Sequence, residues 1–295
     1  MKRRTLLRWA PLLAAPPGFA QGELLTRTIP STGEAIPRVG LGTWITFNVG
    51  QDPPARAQCV QVMRAFFEAG GRVIDSSPMY GSSQGVVGEG LRALGGAQRV
   101  FSAEKLWTSS DGAAQLAATR AQWQVPRFDL LQVHNLLAWE KQLPLLQGMK
   151  ERGDVRYVGI TTSEGRRHRE FEEVMRAHRL DFVQLTYNPA DREAEQRLLP
   201  LAAERGIAVL ANRPFREGAL TRRLQPEPLP AWAAEIACRS WAQVVLKFII
   251  SHPAVTCAIP ATRRVDHVRE NLAACRGPLP DAALRQRIAA HIASL

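Results

Sequence analysis

From about residue 38 onward, short apolar runs alternate with longer stretches in which apolar residues recur every three or four positions. Runs of that length read as buried strands, and the 3–4 spacing reads as helices with one face on a core. The pattern predicts eight strands, at 38–42, 72–75, 100–104, 128–134, 155–160, 182–185, 208–211 and 256–259. Helices are predicted between them, including 55–69, 113–123, 165–177 and 193–205, with glycines (Gly70, Gly71, Gly153, Gly206) at the helix-to-strand joints. Residues 213–230 hold four prolines and little periodicity and read as a long loop. One or two helices follow over 231–251, and a last helix over 280–295 lies outside the eight-fold alternation. Alternating strands and helices argue for a parallel sheet in an α/β fold. Both a closed (β/α)8 barrel and an open doubly wound sheet satisfy that pattern. No GxGxxG follows the first strand, which counts against the open dinucleotide-binding sheet.

Composition alters this picture little. The chain has 295 residues, 45% hydrophobic and 22% charged, which suits a single large barrel core. The formal net charge is +11. Four of the basic residues (Lys2, Arg3, Arg4, Arg8) fall in the first twenty positions, which hold no acid. That leaves 34 of the 38 basic residues, scattered among all 27 acids, with no Lys/Arg block interleaved with aromatics. Nucleic acid is therefore not an expected partner. The four cysteines (Cys59, Cys238, Cys257, Cys275) form no CxxC pair and have no zinc-ligand spacing, so no metal is expected. Whether any two are paired is left open by the sequence.

Residues 1–20 read as an export signal. Arg3-Arg4-Thr5-Leu6-Leu7-Arg8 is similar to the twin-arginine pattern, and a modest apolar stretch then ends in Gly18-Phe19-Ala20 before Gln21. The stretch is too short and too rich in proline to span a membrane as a helix. The expectation is a periplasmic mature chain, 21–295, with no membrane insertion; the alternative is a cytoplasmic protein with a basic tail. Oligomeric state is open.

In a barrel, chemistry gathers at the C-terminal ends of the strands. Asp75 closes the second predicted strand and Tyr80 follows it, in Asp75-Ser76-Ser77-Pro78-Met79-Tyr80-Gly81. Lys105 lies just past the third strand and His134 ends the fourth. Each alone has an ordinary structural reading as a cap, a core ring or a solvated charge. Four on three consecutive strand ends point to one rim.

With Gly40-Leu41-Gly42-Thr43-Trp44, Lys105-Leu106-Trp107, Tyr157-Val158-Gly159-Ile160, Asn188-Pro189, Ile259-Pro260-Ala261-Thr262 and Glu270-Asn271, these motifs resemble the aldo-keto reductase family in order and spacing, over about residues 24–275. The resemblance implies a (β/α)8 TIM barrel with an extra C-terminal helix that reduces a small aldehyde or ketone to an alcohol. Its catalytic tetrad maps onto Asp75, Tyr80, Lys105 and His134. Hydride addition to a carbonyl generates an alkoxide that needs a proton. Tyr80 would supply it, with Lys105 lowering the phenol pKa, Asp75 holding Lys105, and His134 bonding the carbonyl oxygen.

The resemblance also implies cofactor contacts from Thr43, Trp44, Thr161, Thr162, Gln184, Asn212, Phe215, Thr262, Arg263, Arg264, Glu270 and Asn271. Thr161-Thr162 stands where the family commonly has Ser-Asn. Asn212 stands where many members have a tyrosine that stacks on the nicotinamide, and Phe215 is read as its partial replacement. A hydroxyl and guanidinium groups at a helix N-terminus suit the 2′-phosphate of NADP(H), favoured over NAD(H). Trp44, Met79, Trp107 and Trp139 are the expected substrate pocket. From another class, a cofactor-binding regulatory protein is the competing reading; the intact tetrad argues against it.

Overall fold

The computed structural model describes residues 23–295, so the predicted export signal lies outside the described residues. Two strands, β1 (Thr26–Thr28) and β2 (Ala35–Pro37), form an antiparallel hairpin. Eight parallel strands follow: β3 (Leu41–Gly42), β4 (Val73–Asp75), β5 (Phe101–Leu106), β6 (Phe128–Val133), β7 (Val155–Thr161), β8 (Phe182–Thr186), β9 (Ala208–Asn212) and β10 (Cys257–Ala258). They pair in chain order, and the bridges Val39↔Ala258 and Gly42↔Ala261 join the last to the first. The sheet is therefore a closed (β/α)8 barrel. At this seam the backbones come close together. A Cβ on Gly42 would lie 2.7 Å from the Ile259 carbonyl oxygen, so glycine is required there.

Helices connect the strands: α1 (Pro53–Glu68), α2 (Ser83–Leu94), α3 (Gly112–Trp123), α4 (Trp139–Glu151), α5 (His168–Ala177), α6 (Leu198–Glu204), α7 (Ala219–Leu224) and α8 (Trp241–Ser251). After β10 come α9 (Val265–Ala273) and α10 (Ala282–Ser294), the latter being the expected C-terminal helix. Side chains alternate along each strand, as a pleated strand requires. Val73, Phe101, Leu130, Tyr157, Phe182, Ala208 and Cys257 fill the barrel interior with Ile29 and Ile36 of the hairpin segment. The intervening Ile74, Leu131, Val158, Val183 and Val209 pack in the core beneath the helices. Ile29 and Ile36 share one cluster with the first inward residues of β4 to β10, so the hairpin segment closes the N-terminal end. The opposite end is left for chemistry.

Three local readings of the sequence need correction. The long loop expected over 213–230 contains α7. Leu220 and Leu224 are buried one turn apart while Arg223 reaches across to the Ile292 carbonyl of α10. Only two apolar positions carry that signal, too few for periodicity to show. The helix expected over 193–205 is broken into a short turn at Glu193–Glu195 and α6. Pro200 lies in the first turn of α6, where no intrahelical bond needs an N–H from it. The helix expected from 165 begins at His168. Glu164, Gly165 and Arg167 all have positive φ, and the Glu164 N–H is held by Thr186 Oγ1.

Candidate active site

The C-terminal rim is built by continuing the inward-facing rows. Asp75 follows Val73 on β4, Lys105 follows Ala103 on β5, and Gln184 follows Phe182 on β8, all pointing into the barrel mouth. Tyr80 comes from a single 3₁₀ turn after β4. Pro78 opens that turn, Ser77 Oγ accepts the Met79 N–H (3.1 Å), and the Tyr80 N–H closes on the Ser77 carbonyl (3.0 Å). His134 is the residue immediately after β6.

These four side chains meet. Lys105 Nζ donates to Asp75 Oδ2 (2.6 Å) and to the Ser76 carbonyl (2.8 Å), and lies 5.0 Å from the centre of the Tyr80 ring. The Tyr80 and His134 rings meet edge to face at 5.7 Å, and Trp44 lies 4.9 Å from Tyr80 on another side. Asp75 Oδ1 accepts from Gln184 Nε2 (2.7 Å), while Thr43 Oγ1 bonds the Asp75 carbonyl and Ser76 Oγ (both 2.9 Å). Asp75 is thus held on three sides. Removing one partner of such a buried ion pair strands the other, which typically costs about 3–5 kcal/mol.

The electrostatics differ in one respect from the sequence reading. Burial pushes the Tyr80 phenol up to about 12, and the opposing Lys105 ammonium only limits that rise. Burial also works against the Lys105 ammonium, but Asp75, Tyr80 and Glu104 outweigh it and hold its pKa above the usual lysine value. His134 is pushed well below the ordinary imidazole value, first by burial and then by Lys105. The rim at neutral pH therefore presents a protonated phenol, an ammonium and a neutral imidazole.

A cleft of about 1130 Å³ opens from this centre. Thr43, Trp44, Asp75, Met79, Tyr80, His134, Thr161 and Gln184 line one end. Asn212 and Phe215 line the cleft too, as do Thr262, Arg263 and Arg264, which lead into the N-terminus of α9, and Glu270 and Asn271 from the second half of that helix. Thr162 is not among the lining residues. Its hydroxyl is spent on the Arg166 carbonyl (2.5 Å), and the neighbours Ser163 and Asn135 face the cleft instead. The Asn212 amide is clamped, with Nδ2 on the Thr162 carbonyl (2.9 Å) and Oδ1 receiving Thr186 Oγ1 (2.7 Å). Trp107 is an exposed rim residue, and Trp139 is tied to Glu170 (2.9 Å) and packed on His178; neither lines the cleft.

A model of the aldo/keto reductase family matches residues 38–291. The chain belongs to the aldo/keto reductase family. Methylglyoxal reductase YeaE of Escherichia coli (strain K12) is 28% identical over 259 residues, 85% of this chain and 89% of that protein. The NADH-specific methylglyoxal reductase of the same organism is 24% identical over 69% of this chain and 71% of that protein. Among solved structures, an aldo/keto reductase from Klebsiella pneumoniae in complex with NADP and acetate superposes with a TM-score of 0.74 at 24% identity. It covers 88% of this chain and 93% of its own.

Two buried residues of this aldo/keto reductase escaped the sequence reading. The Glu104 carboxylate lies outside the barrel wall and accepts from the Lys105 N–H (2.7 Å), Gln84 Nε2 (2.9 Å) and Trp123 Nε1 (2.5 Å). Burial lifts its pKa to about 7. It ties the strand carrying Lys105 to α2 and α3. Ser77 lies 2.7 Å from His134 Nδ1. A carboxylate directly before Lys105 was the visible signal for Glu104; for Ser77 there was none beyond its place in the tyrosine motif.

Proposed function

We propose that this oxidoreductase reduces an aldehyde or ketone to an alcohol with NADPH as the favoured hydride donor and Tyr80 as proton donor. The observation that carries the reading is the chain Asp75–Lys105–Tyr80 ending beside His134 at a cleft of about 1130 Å³. When bound, the cofactor supplies the hydride. Thr262, Arg263 and Arg264 would hold a 2′-phosphate at the α9 N-terminus. Gln184 and Thr161 would face the nicotinamide end, with the clamped Asn212 amide offering its flat face beside Phe215. Thr43, Trp44, Glu270 and Asn271 also line the cleft and would contact the cofactor. That the Klebsiella relative was solved with NADP supports a nicotinamide cofactor for this chain, while the NADH-specific relative makes the nicotinamide preference a point to measure.

His134 would orient the carbonyl oxygen toward Tyr80. As the carbon accepts hydride, the oxygen becomes an alkoxide, a far stronger base than a phenolate. A phenol held near 12 keeps its proton until that moment and then gives it up. Lys105 stabilises the tyrosinate until solvent returns the proton. Trp44 and Met79 form the apolar wall on the substrate side, with Trp107 at the rim.

The test is Tyr80→Phe, which keeps the ring and removes the proton. Turnover should fall by about 10² or more, the usual size of a general-acid contribution, with NADPH binding preserved. The measurement is a panel of aldehydes and ketones, methylglyoxal included, with NADPH and NADH compared. Near-wild-type turnover by Tyr80→Phe on the best carbonyl would refute the assignment.

A further inference from the structure

We propose that Ser77 is a positioning residue that fixes His134 in the Nε2-protonated tautomer, the form that offers an N–H to a substrate oxygen. The proposal rests on the carbonyl-reducing reading for its purpose; the tautomer itself follows from the hydrogen bonds of Ser77 and from a neutral ring. Ser77 is fully buried. Its Oγ accepts the Met79 N–H at 3.1 Å and lies 2.7 Å from His134 Nδ1; among the described residues it has no other hydrogen-bond partner.

A serine hydroxyl carries one proton and two lone pairs. One lone pair is taken by Met79. The proton still needs an acceptor, because leaving it unpaired in a buried site costs about 1–3 kcal/mol. Nδ1 is the acceptor within reach. If Nδ1 carried a hydrogen, it would either oppose the serine proton across 2.7 Å or drive that proton to a direction with no partner. The ring therefore turns a lone pair to Ser77 and carries its proton on Nε2. Burial and the neighbouring Lys105 ammonium keep the imidazole neutral, so a single ring proton has to be placed. No described side chain bonds Nε2, and His134 lines the cleft.

The same hydroxyl caps the turn that carries Tyr80. One buried group thus sets the direction of both hydrogen-bond donors that would meet the carbonyl oxygen. A donor pair aimed at developing charge is worth most when its orientation is fixed before reaction. The substitution Ser77→Thr would keep the hydroxyl, and the extended backbone at this position (φ −163°) accommodates a β-branched residue.

The experiment is ¹⁵N NMR of full-length protein with ring-labelled histidine, His134 being assigned by its loss in His134→Gln. The wild type should show a protonated Nε2 and a bare Nδ1, both free and with NADPH. Ser77→Ala should populate the Nδ1–H form, with kcat on the best carbonyl down roughly ten- to hundredfold, less than the outright loss of an oxyanion donor costs because His134 itself remains. NADPH affinity should be unchanged within about twofold, and Ser77→Thr should restore both tautomer and kcat. A wild-type spectrum with Nδ1 protonated overturns the proposal without any variant. So does a Ser77→Ala spectrum identical to wild type. The NMR outcome does not depend on turnover, so a failure of the reductase reading leaves it separately decided.

Discussion

Tyr80 and Arg263 illustrate how far a residue's type predicts its behaviour. The tyrosine was expected to be acidified by its lysine; in the structure, burial of the phenol is the larger effect, and its proton is held more tightly than in water. The residue types set the sign of the lysine's influence, but the depth of the site decides which influence is larger. The two arginines after β10 also separate. Arg264 is closely paired with Asp266, whereas the Arg263 guanidinium makes no hydrogen bond or ion pair among the described residues. A guanidinium already committed to a carboxylate has less to offer a phosphate. Arg263→Ala should therefore weaken NADPH binding by about 1.5 kcal/mol, the low end for a charge-assisted bond, with NADH nearly unaffected. Arg264→Ala should lose less. Fluorescence titration of the two variants with both cofactors checks this, and equal losses for NADPH and NADH would contradict the 2′-phosphate assignment. Trp139 shows the opposite failure. An aromatic near a rim motif was read as pocket wall, yet its indole N–H had a nearer partner in Glu170.

Among the elements, the eight strands lie where the apolar runs placed them, because an inward row and an outward row are both buried and leave an uninterrupted signal. The hairpin β1–β2 and the helix α7 were not legible. Each depends on two apolar residues, Ile29 and Ile36 in one case and Leu220 and Leu224 in the other, whose burial is set by distant partners. Helix α2 carries a constraint of the same origin. Gly88 packs so closely on α3 that a Cβ there would lie 1.8 Å from the Gln122 carbonyl oxygen. In an exposed helix, alanine stabilises relative to glycine by about 1 kcal/mol. Here overpacking reverses the sign, and Gly88→Ala should destabilise by about 1–3 kcal/mol. The control is Gly85→Ala in the same helix, where the nearest atom to a Cβ is a side-chain oxygen at 3.9 Å. Thermal unfolding should show Gly88→Ala melting below wild type and Gly85→Ala at or above it; a Gly88→Ala protein as stable as wild type would contradict the packing argument.

For the molecule as a whole, the twin-arginine-like segment sets a prediction independent of the catalytic one. We propose export with cleavage after Ala20. The described residues begin at Glu23, and the first backbone tie among them is Leu25 N–H to the Cys275 carbonyl (2.8 Å), so that cleavage leaves every described residue in the mature chain. Twin-arginine export moves folded protein, and a folded barrel can carry a dissociable cofactor that an unfolded chain would leave behind. Fractionation should find a chain beginning at Gln21 in the periplasm, lost when Arg3 and Arg4 are both changed to lysine. Uncleaved protein confined to the cytoplasm in both cases would overturn export and leave the reductase reading standing. The α/β alternation, the eight strands and the gathering of Asp75, Tyr80, Lys105 and His134 at one rim were legible in the bare chain, because periodicity and strand-end position are local properties; the catalytic roles came only with the family resemblance. Other features came into being with the folded barrel: Gly42 and Ala261 closing its seam, burial outweighing Lys105 at Tyr80, Thr162 turning away from the cleft, and Glu104 and Ser77 standing behind the site. Each of these is a matter of distance or burial between residues far apart in the chain, and that information exists only once the strands have been brought side by side.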